Sequence, residues 1–138
     1  MEHFVGLENA LKDSYVIAGQ PKHLLLGLSG GADSIALAKL LNSLQKTCQF
    51  ELTCVHVNHG LRKSADEDEQ FVIQTCESWK IPHIVKHVNI SSAGNIESKA
   101  REARYKAFYE AKAELSADCL VLAHHMDDQA ETIMMRLM

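Results

Sequence analysis

Leu24-Leu25-Leu26-Gly27-Leu28-Ser29-Gly30-Gly31-Ala32-Asp33-Ser34 decides how the other residues of this 138-residue chain are read. A short apolar run enters the loop Ser-Gly-Gly-Ala-Asp-Ser, and an apolar pattern with helical spacing leaves it from Ile35 to about Leu44. A strand, a glycine-rich turn and a helix start together make a cradle for an anion. Adjacent glycines let backbone N–H groups approach a phosphate with no Cβ in the way. The unpaired N–H groups and the positive end of the helix dipole then favour the negative charge. Ser29 and Ser34 add hydroxyl donors. Gly-Gly alone would serve only turn geometry, with Asp33 or Ser34 as a helix cap. The whole strand–loop–helix unit carries the phosphate reading, because the local context such a motif requires is present.

The same loop excludes two better-known phosphate sites. It has no Gly-x-x-x-x-Gly-Lys-Ser/Thr spacing and no lysine, and it lacks the three-glycine spacing of the dinucleotide fingerprint. Asp33 would repel a phosphate unless a cation stood between them. Mg²⁺ fits, since it is commonly held by one or two carboxylates together with substrate phosphates.

Outward from the loop, strands and helices alternate. Phe4, Leu7, Leu11, Tyr15 and Ala18 recur at helical spacing, and the pattern ends near Gly19-Gln20-Pro21. Leu24–Leu28 is the first strand. Phe50–Val57 is the second, rich in β-branched residues. Ser64-Ala65-Asp66-Glu67 reads as a capping box opening a helix that carries Phe71, Val72 and Trp79 and stops at Pro82. Ile84–Val88 is a third strand, followed by the polar loop Asn89–Asn95. A long helix then places Ile96, Ala100, Ala103, Ala107, Phe108, Ala111 and Leu115 on one side. Cys119–Ala123 is a fourth strand, and a last helix is expected from near Asp127, with Met134, Met135, Leu137 and Met138 in the core.

Such alternation predicts an α/β fold: a Rossmann-like parallel sheet, right-handed crossovers, helices on both faces and a helix before the first strand. Ligands of these sheets sit outside the carboxyl ends of the strands. The Ser29–Ser34 loop, His56–Arg62 and His124–Glu131 all follow strand ends, so three polar motifs are expected at one edge.

Four ordered motifs then resemble a known family. Ser29–Ser34 looks like the SGGxDS loop of the PP-loop ATP pyrophosphatases. Together with His56-Val57-Asn58-His59-Gly60-Leu61-Arg62, Asn95-Ile96-Glu97-Ser98-Lys99-Ala100-Arg101-Glu102-Ala103-Arg104-Tyr105 and Ala123-His124-His125-Met126-Asp127-Asp128-Gln129-Ala130-Glu131-Thr132, it is similar to the N-terminal domain of the tRNA(Ile)-lysidine synthases. The resemblance runs from about Leu24 to the end of the chain.

It implies a ligase that splits ATP between the α and β phosphates. The family adenylates C2 of the anticodon wobble cytidine of tRNA(Ile), and L-lysine then displaces AMP to give lysidine. ATP contacts fall on Ser29, Gly30, Gly31, Ala32, Asp33 and Ser34, with Asp33 also holding Mg²⁺. Asp33, Asp128 and Glu131 are the implied catalytic residues. Asp128 and Glu131 match positions that hold the lysine, and Arg101, Arg104, His59 and Arg62 fall to substrate or phosphate contact. The partners are ATP, tRNA(Ile) and lysine; a homodimer is left open. Family members continue into tRNA-gripping C-terminal domains. The chain ends at Met138 inside an apolar pattern with no stop signal, so residues 1–138 read as a single, truncated N-terminal ATP-binding domain without those parts. Other readings are another PP-loop tRNA-modifying enzyme, such as a tRNA thiolation enzyme, and an ATP-binding fragment without catalysis.

Each motif also has a plainer reading. His124, His125, Asp127, Asp128 and Glu131 could ligate a metal, or the carboxylates could simply favour a helix N-terminus. Asp128 and Glu131 share a face at i,i+3, as do Asp127 and Glu131 at i,i+4, so spacing does not choose the pair. A strand-end histidine such as His56 or His59 is more often a satisfied structural group than a ligand. Arg62 is a surface arginine if it meets no phosphate. Lys99, Arg101, Arg104 and Lys106, interleaved with Glu97, Glu102 and Glu110, read by default as a solvated face with ion pairs.

Composition agrees with a soluble globular domain, at 46% hydrophobic and 23% charged residues. A net charge of −4 argues against a broad nucleic-acid-gripping surface on this segment. Cys48, Cys54, Cys76 and Cys119 form no Cys-x-x-Cys, which speaks against a zinc ribbon or redox pair and fits buried thiols in a reducing cytoplasm. No secretory signal is read at the start, and no apolar run reaches the ~20 residues of a membrane span.

Overall fold

The structure is a computed structural model, and it describes residues 12–13, 15–16, 19–29, 31–60, 64–90, 94–123 and 133–137. Its elements in chain order are β1 (His23–Gly27), α1 (Ala32–Cys48), β2 (Glu51–Asn58), α2 (Ala65–Ser78), β3 (His83–His87), α3 (Ile96–Glu114), β4 (Cys119–Ala123) and β5 (Ile133–Leu137). Lys12, Asp13, Tyr15 and Val16 are helical, within the expected leading helix. The sheet order is β3-β2-β1-β4-β5. The first four strands are parallel; β5 joins the β4 edge antiparallel, with Ala123 opposite Ile133 and Cys119 opposite Leu137.

Two apolar layers explain the helix placement. Leu24, Leu26 and Leu28 of the β1 segment, with Leu52, Cys54, Cys119 and Val121, meet Leu37, Leu41 and Leu44 of α1 and Val72 and Cys76 of α2. Leu25, Val55, Val57, Leu120 and Leu122 face the other way, against Ala107, Phe108 and Ala111 of α3. The alternation along each strand is the period-two pleat. Helices therefore cover both faces, as expected. Tyr15 closes the first layer, its hydroxyl donating to the carbonyls of Pro21 and Cys48 at 2.9 and 3.2 Å. Burial pushes its phenol above the ordinary value. Asp118 accepts from the N–H groups of Lys22 and His23, tying the entry of β4 to that of β1.

Two expectations are corrected. Residues 133–137 form a strand, not part of a last helix. A run of five residues, four of them apolar, has no decisive period, and the open side of β4 offers backbone partners that a helix would leave unused. Ser64 makes no side-chain cap of α2; its carbonyl takes the Asp68 N–H, and Asp66 instead binds Asn58 across the loop. Phe71 is 48% exposed, because the buried stripe of α2 runs through Ala65, Val72 and Cys76. Ile96 is likewise on the surface, at the first turn of α3.

Candidate nucleotide site

The strand order dictates where a ligand would sit. From β1 the chain moves to β2 and β3, and α3 then carries it back to β4 on the far side of β1. β1 and β4 are thus the neighbours between which the winding reverses. In open α/β sheets that reversal opens the ligand crevice at the carboxyl ends of the strands. The Ser29–Ser34 loop leaves β1 at that point.

Locally, α1 begins at Ala32, and its first turn closes with the Ile35 N–H on the Gly31 carbonyl at 3.1 Å. The N–H groups of Ala32, Asp33 and Ser34 therefore have no partner within the helix. The serines do something the sequence did not show. Ser34 is buried, and its Oγ accepts the Ser29 N–H at 2.8 Å. Ser29 Oγ accepts the Gly31 N–H at 3.3 Å. Both hydroxyls thus hold the loop's own backbone, each keeping its hydrogen for another acceptor.

Gly31 has φ −73° and ψ 153°, a conformation open to any residue. A Cβ there would meet only Ser29 Oγ, at 3.5 Å. Neither strain nor packing within the described residues requires glycine, and the space a Cβ would fill lies beside the helix N-terminus. Gly27 is the opposite case. A Cβ on it would come to 2.6 Å from Leu122 Cδ2 and 2.9 Å from the Phe108 ring, so glycine lets α3 and β4 close on β1. Glycine inside an apolar strand is the sequence signal for such an approach.

His56 and Asn58 lie inside β2, not after it, and both are buried. His56 Nδ1 is 2.8 Å from the Leu28 carbonyl. Asn58 spends its whole amide: Oδ1 accepts the Gly60 N–H at 2.9 Å, and Nδ2 donates to Asp66 Oδ1 and Glu69 Oε1, both at 3.0 Å. His87 Nε2 stands 2.6 Å from the same Glu69 oxygen. Asn58 therefore anchors the start of the loop carrying His59, which is half-buried. Arg101 and Arg104 are exposed on the first half of α3, with the Arg101 guanidinium 5.6 Å from the Tyr105 ring centroid, a cation–π contact.

Gly30, Arg62, Asp128 and Glu131 lie outside the described residues, and so do the side chains of Ala32 and Asp33. The strands that bracket residues 124–132 are paired at Ala123 and Ile133, at the carboxyl edge of β4. Among the described residues no three His, Cys, Asp or Glu are grouped to hold a metal, and no helix is long and apolar enough to cross a membrane.

The reversal point and the glycine loop at the end of β1 are those of an α/β domain with a crevice at its strand ends, and sequence comparison supplies the class. The profile of the PP-loop domain matches residues 6–138, and the chain belongs to that family. Among its relatives, it is 40% identical over 129 residues to the tRNA(Ile)-lysidine synthase of Petrotoga mobilis, covering 90% of this chain and 42% of that protein. It is 42% identical over 132 residues to the Clostridium perfringens tRNA(Ile)-lysidine synthase, covering 91% of this chain and 28% of that one. The chain spans less than half the length of these relatives. The solved U34-tRNA thiolase NcsA from Methanococcus maripaludis, with its 4Fe–4S cluster, superposes with a TM-score of 0.68 at 26% identity, covering 75% of this chain and 38% of that one.

Proposed function

We propose that this chain is the ATP-binding catalytic domain of a tRNA(Ile)-lysidine synthase. The observation that carries the reading is the identity of 40% over 90% of the chain to a relative of that name, in a domain whose glycine loop stands at the reversal point of the sheet. In this reading the C2 carbonyl oxygen of the wobble cytidine attacks the α-phosphorus of ATP, and pyrophosphate leaves. The ε-amine of lysine then attacks C2, loses a proton, and AMP departs.

The unpaired N–H groups of the first turn of α1 and the helix dipole receive the charge that develops on pyrophosphate. The room at Gly31 admits the phosphate to contact distance. Asp33, at the start of α1, is the carboxylate for Mg²⁺, which would supply further charge neutralisation to the phosphates. Asp128 and Glu131 orient the lysine ammonium and draw its proton toward themselves as it attacks. Arg101, Arg104, His59 and Arg62 are assigned to tRNA or phosphate.

A second reading, tRNA thiolation, is favoured by the likeness to NcsA. Three of this chain's four cysteines are placed where they could not reach a cluster like that of NcsA. Cys54, Cys76 and Cys119 are fully buried in the α1/α2 layer, where they serve as small apolar groups.

The deciding experiment joins this chain to the C-terminal remainder of the P. mobilis relative and follows ATP–pyrophosphate exchange with unmodified tRNA(Ile), then labelled lysine. Lysine-dependent label in the tRNA is expected. A folded, ATP-binding chimera that leaves the tRNA unlabelled refutes the lysidine reading, and sulfur incorporation in its place would establish the thiolase. Asp33→Ala is expected to abolish turnover without unfolding the protein.

A further inference from the structure

Burying an imidazole costs free energy unless it is hydrogen-bonded, yet His56 is only 6% exposed within β2. By alternation it shares its strand face with Leu52 and Cys54, both in the apolar layer covered by α1 and α2. Its one partner among the described residues is the Leu28 carbonyl, at 2.8 Å from Nδ1. A carbonyl only accepts, so Nδ1 carries the proton. The position of the bond is informative. The β1–β2 register ends at Gly27 opposite Val55, and the Leu28 N–H makes one more bond, to the Val55 carbonyl at 2.8 Å. Beyond that point a side chain, His56, takes up the outgoing carbonyl.

The Leu28 carbonyl and the Ser29 N–H belong to one planar peptide unit. His56 grips that plane by its C=O, and Ser34 Oγ grips it by its N–H, also at 2.8 Å. With both ends held, the plane cannot turn its carbonyl toward the loop interior, where it would repel an anion.

We propose that His56 is a positioning residue for the anion loop: its Nδ1–H holds the Leu28 carbonyl and so fixes the direction in which Ser29, Gly30 and Gly31 leave β1. The inference rests on the nucleotide reading of that loop. It does not require His56 to touch the ligand. It also assigns a proton to Nδ1.

The test compares wild type, His56→Asn, His56→Gln and His56→Leu in this chain, by calorimetric titration with ATP and Mg²⁺. Asparagine places its amide nitrogen where Nδ1 stood and keeps the donor; glutamine, one methylene longer, and leucine do not. His56→Asn is expected to bind within about threefold of wild type, and the other two about tenfold more weakly, the worth of one such bond. Equal binding by wild type and His56→Leu overturns the proposal, as does equal loss in the asparagine and leucine variants. Should leucine unfold the chain, asparagine against glutamine carries the same comparison. Imidazole ¹⁵N spectra of the wild type supply an independent reading: an Nδ1–H tautomer, kept when ATP binds, is expected, and an Nε2–H tautomer overturns it. Wild type that binds no ATP refutes the nucleotide reading, and the tautomer still decides whether His56 holds Leu28.

Discussion

Gly31→Ala separates a glycine required by the fold from one required by a ligand. The backbone at Gly31 sits at φ −73°, so alanine adopts it without strain. Among the described residues the new methyl meets only Ser29 Oγ, at 3.5 Å, an ordinary contact. Stability should then stay level or rise by up to about 1 kcal/mol, because alanine restricts the unfolded chain. Ligand binding should move the other way. A methyl at this position holds a phosphate away from the first turn of α1, where the N–H groups of Ala32, Asp33 and Ser34 have no partner within the helix. Losing one hydrogen bond to a charged group costs about 1.5–3 kcal/mol, which converts to a roughly 10- to 150-fold weaker Kd for ATP. Urea unfolding and calorimetric titration on the same preparation measure both. A variant that loses stability while binding ATP as tightly as wild type refutes the reasoning, for glycine would then be serving the fold.

Gly27→Ala is expected to do the reverse in kind. Its methyl would come within 2.6 Å of Leu122 and 2.9 Å of Phe108, and such overpacking costs about 1–3 kcal/mol; an unchanged urea midpoint would contradict it. Asn58→Ala strips partners from the Gly60 N–H and from Asp66 and Glu69. A loss of about 1–3 kcal/mol should accompany faster exchange of the Gly60 amide, and an amide as protected as before would show that Asn58 does not hold the loop. In a thiol titration of the native chain, half-buried Cys48 should react first, with Cys54, Cys76 and Cys119 reacting only on unfolding. The hydrogen bond to Cys76 and burial both push the Cys54 thiol up, which further slows it. Rapid labelling of three or four thiols would contradict the packing of the α1/α2 layer.

Much of the fold is legible because local patterns carry it. The apolar runs at Leu24, Leu52, Ile84 and Leu120 are short and end in turn residues, and long helical patterns separate them. A parallel sheet with both faces covered follows from that alternation alone. The strand at residues 133–137 is not legible in this way. Its five residues have no distinguishing period, and what selects a strand is the edge of β4, which exists only in the folded sheet. The missed cap at Ser64 has a similar cause: Asp66 is drawn to Asn58, a partner eight residues away that no capping pattern contains.

At the site the division is the same. The sequence by itself determined that a glycine loop follows a strand and opens a helix, and that it lacks a phosphate-binding lysine, since these are properties of neighbouring residues. Tertiary structure alone decided which glycine serves what. Gly27 and Gly31 lie four positions apart, yet a Cβ on one would clash with Leu122 and Phe108 while, among the described residues, a Cβ on the other would make only an ordinary contact with Ser29. It also decided the part played by Ser34 and His56, which hold the two ends of a single peptide plane from different elements of the fold. Contacts between residues 28 positions apart have no signature in local spacing, because only the pairing of β1 with β2 brings them together.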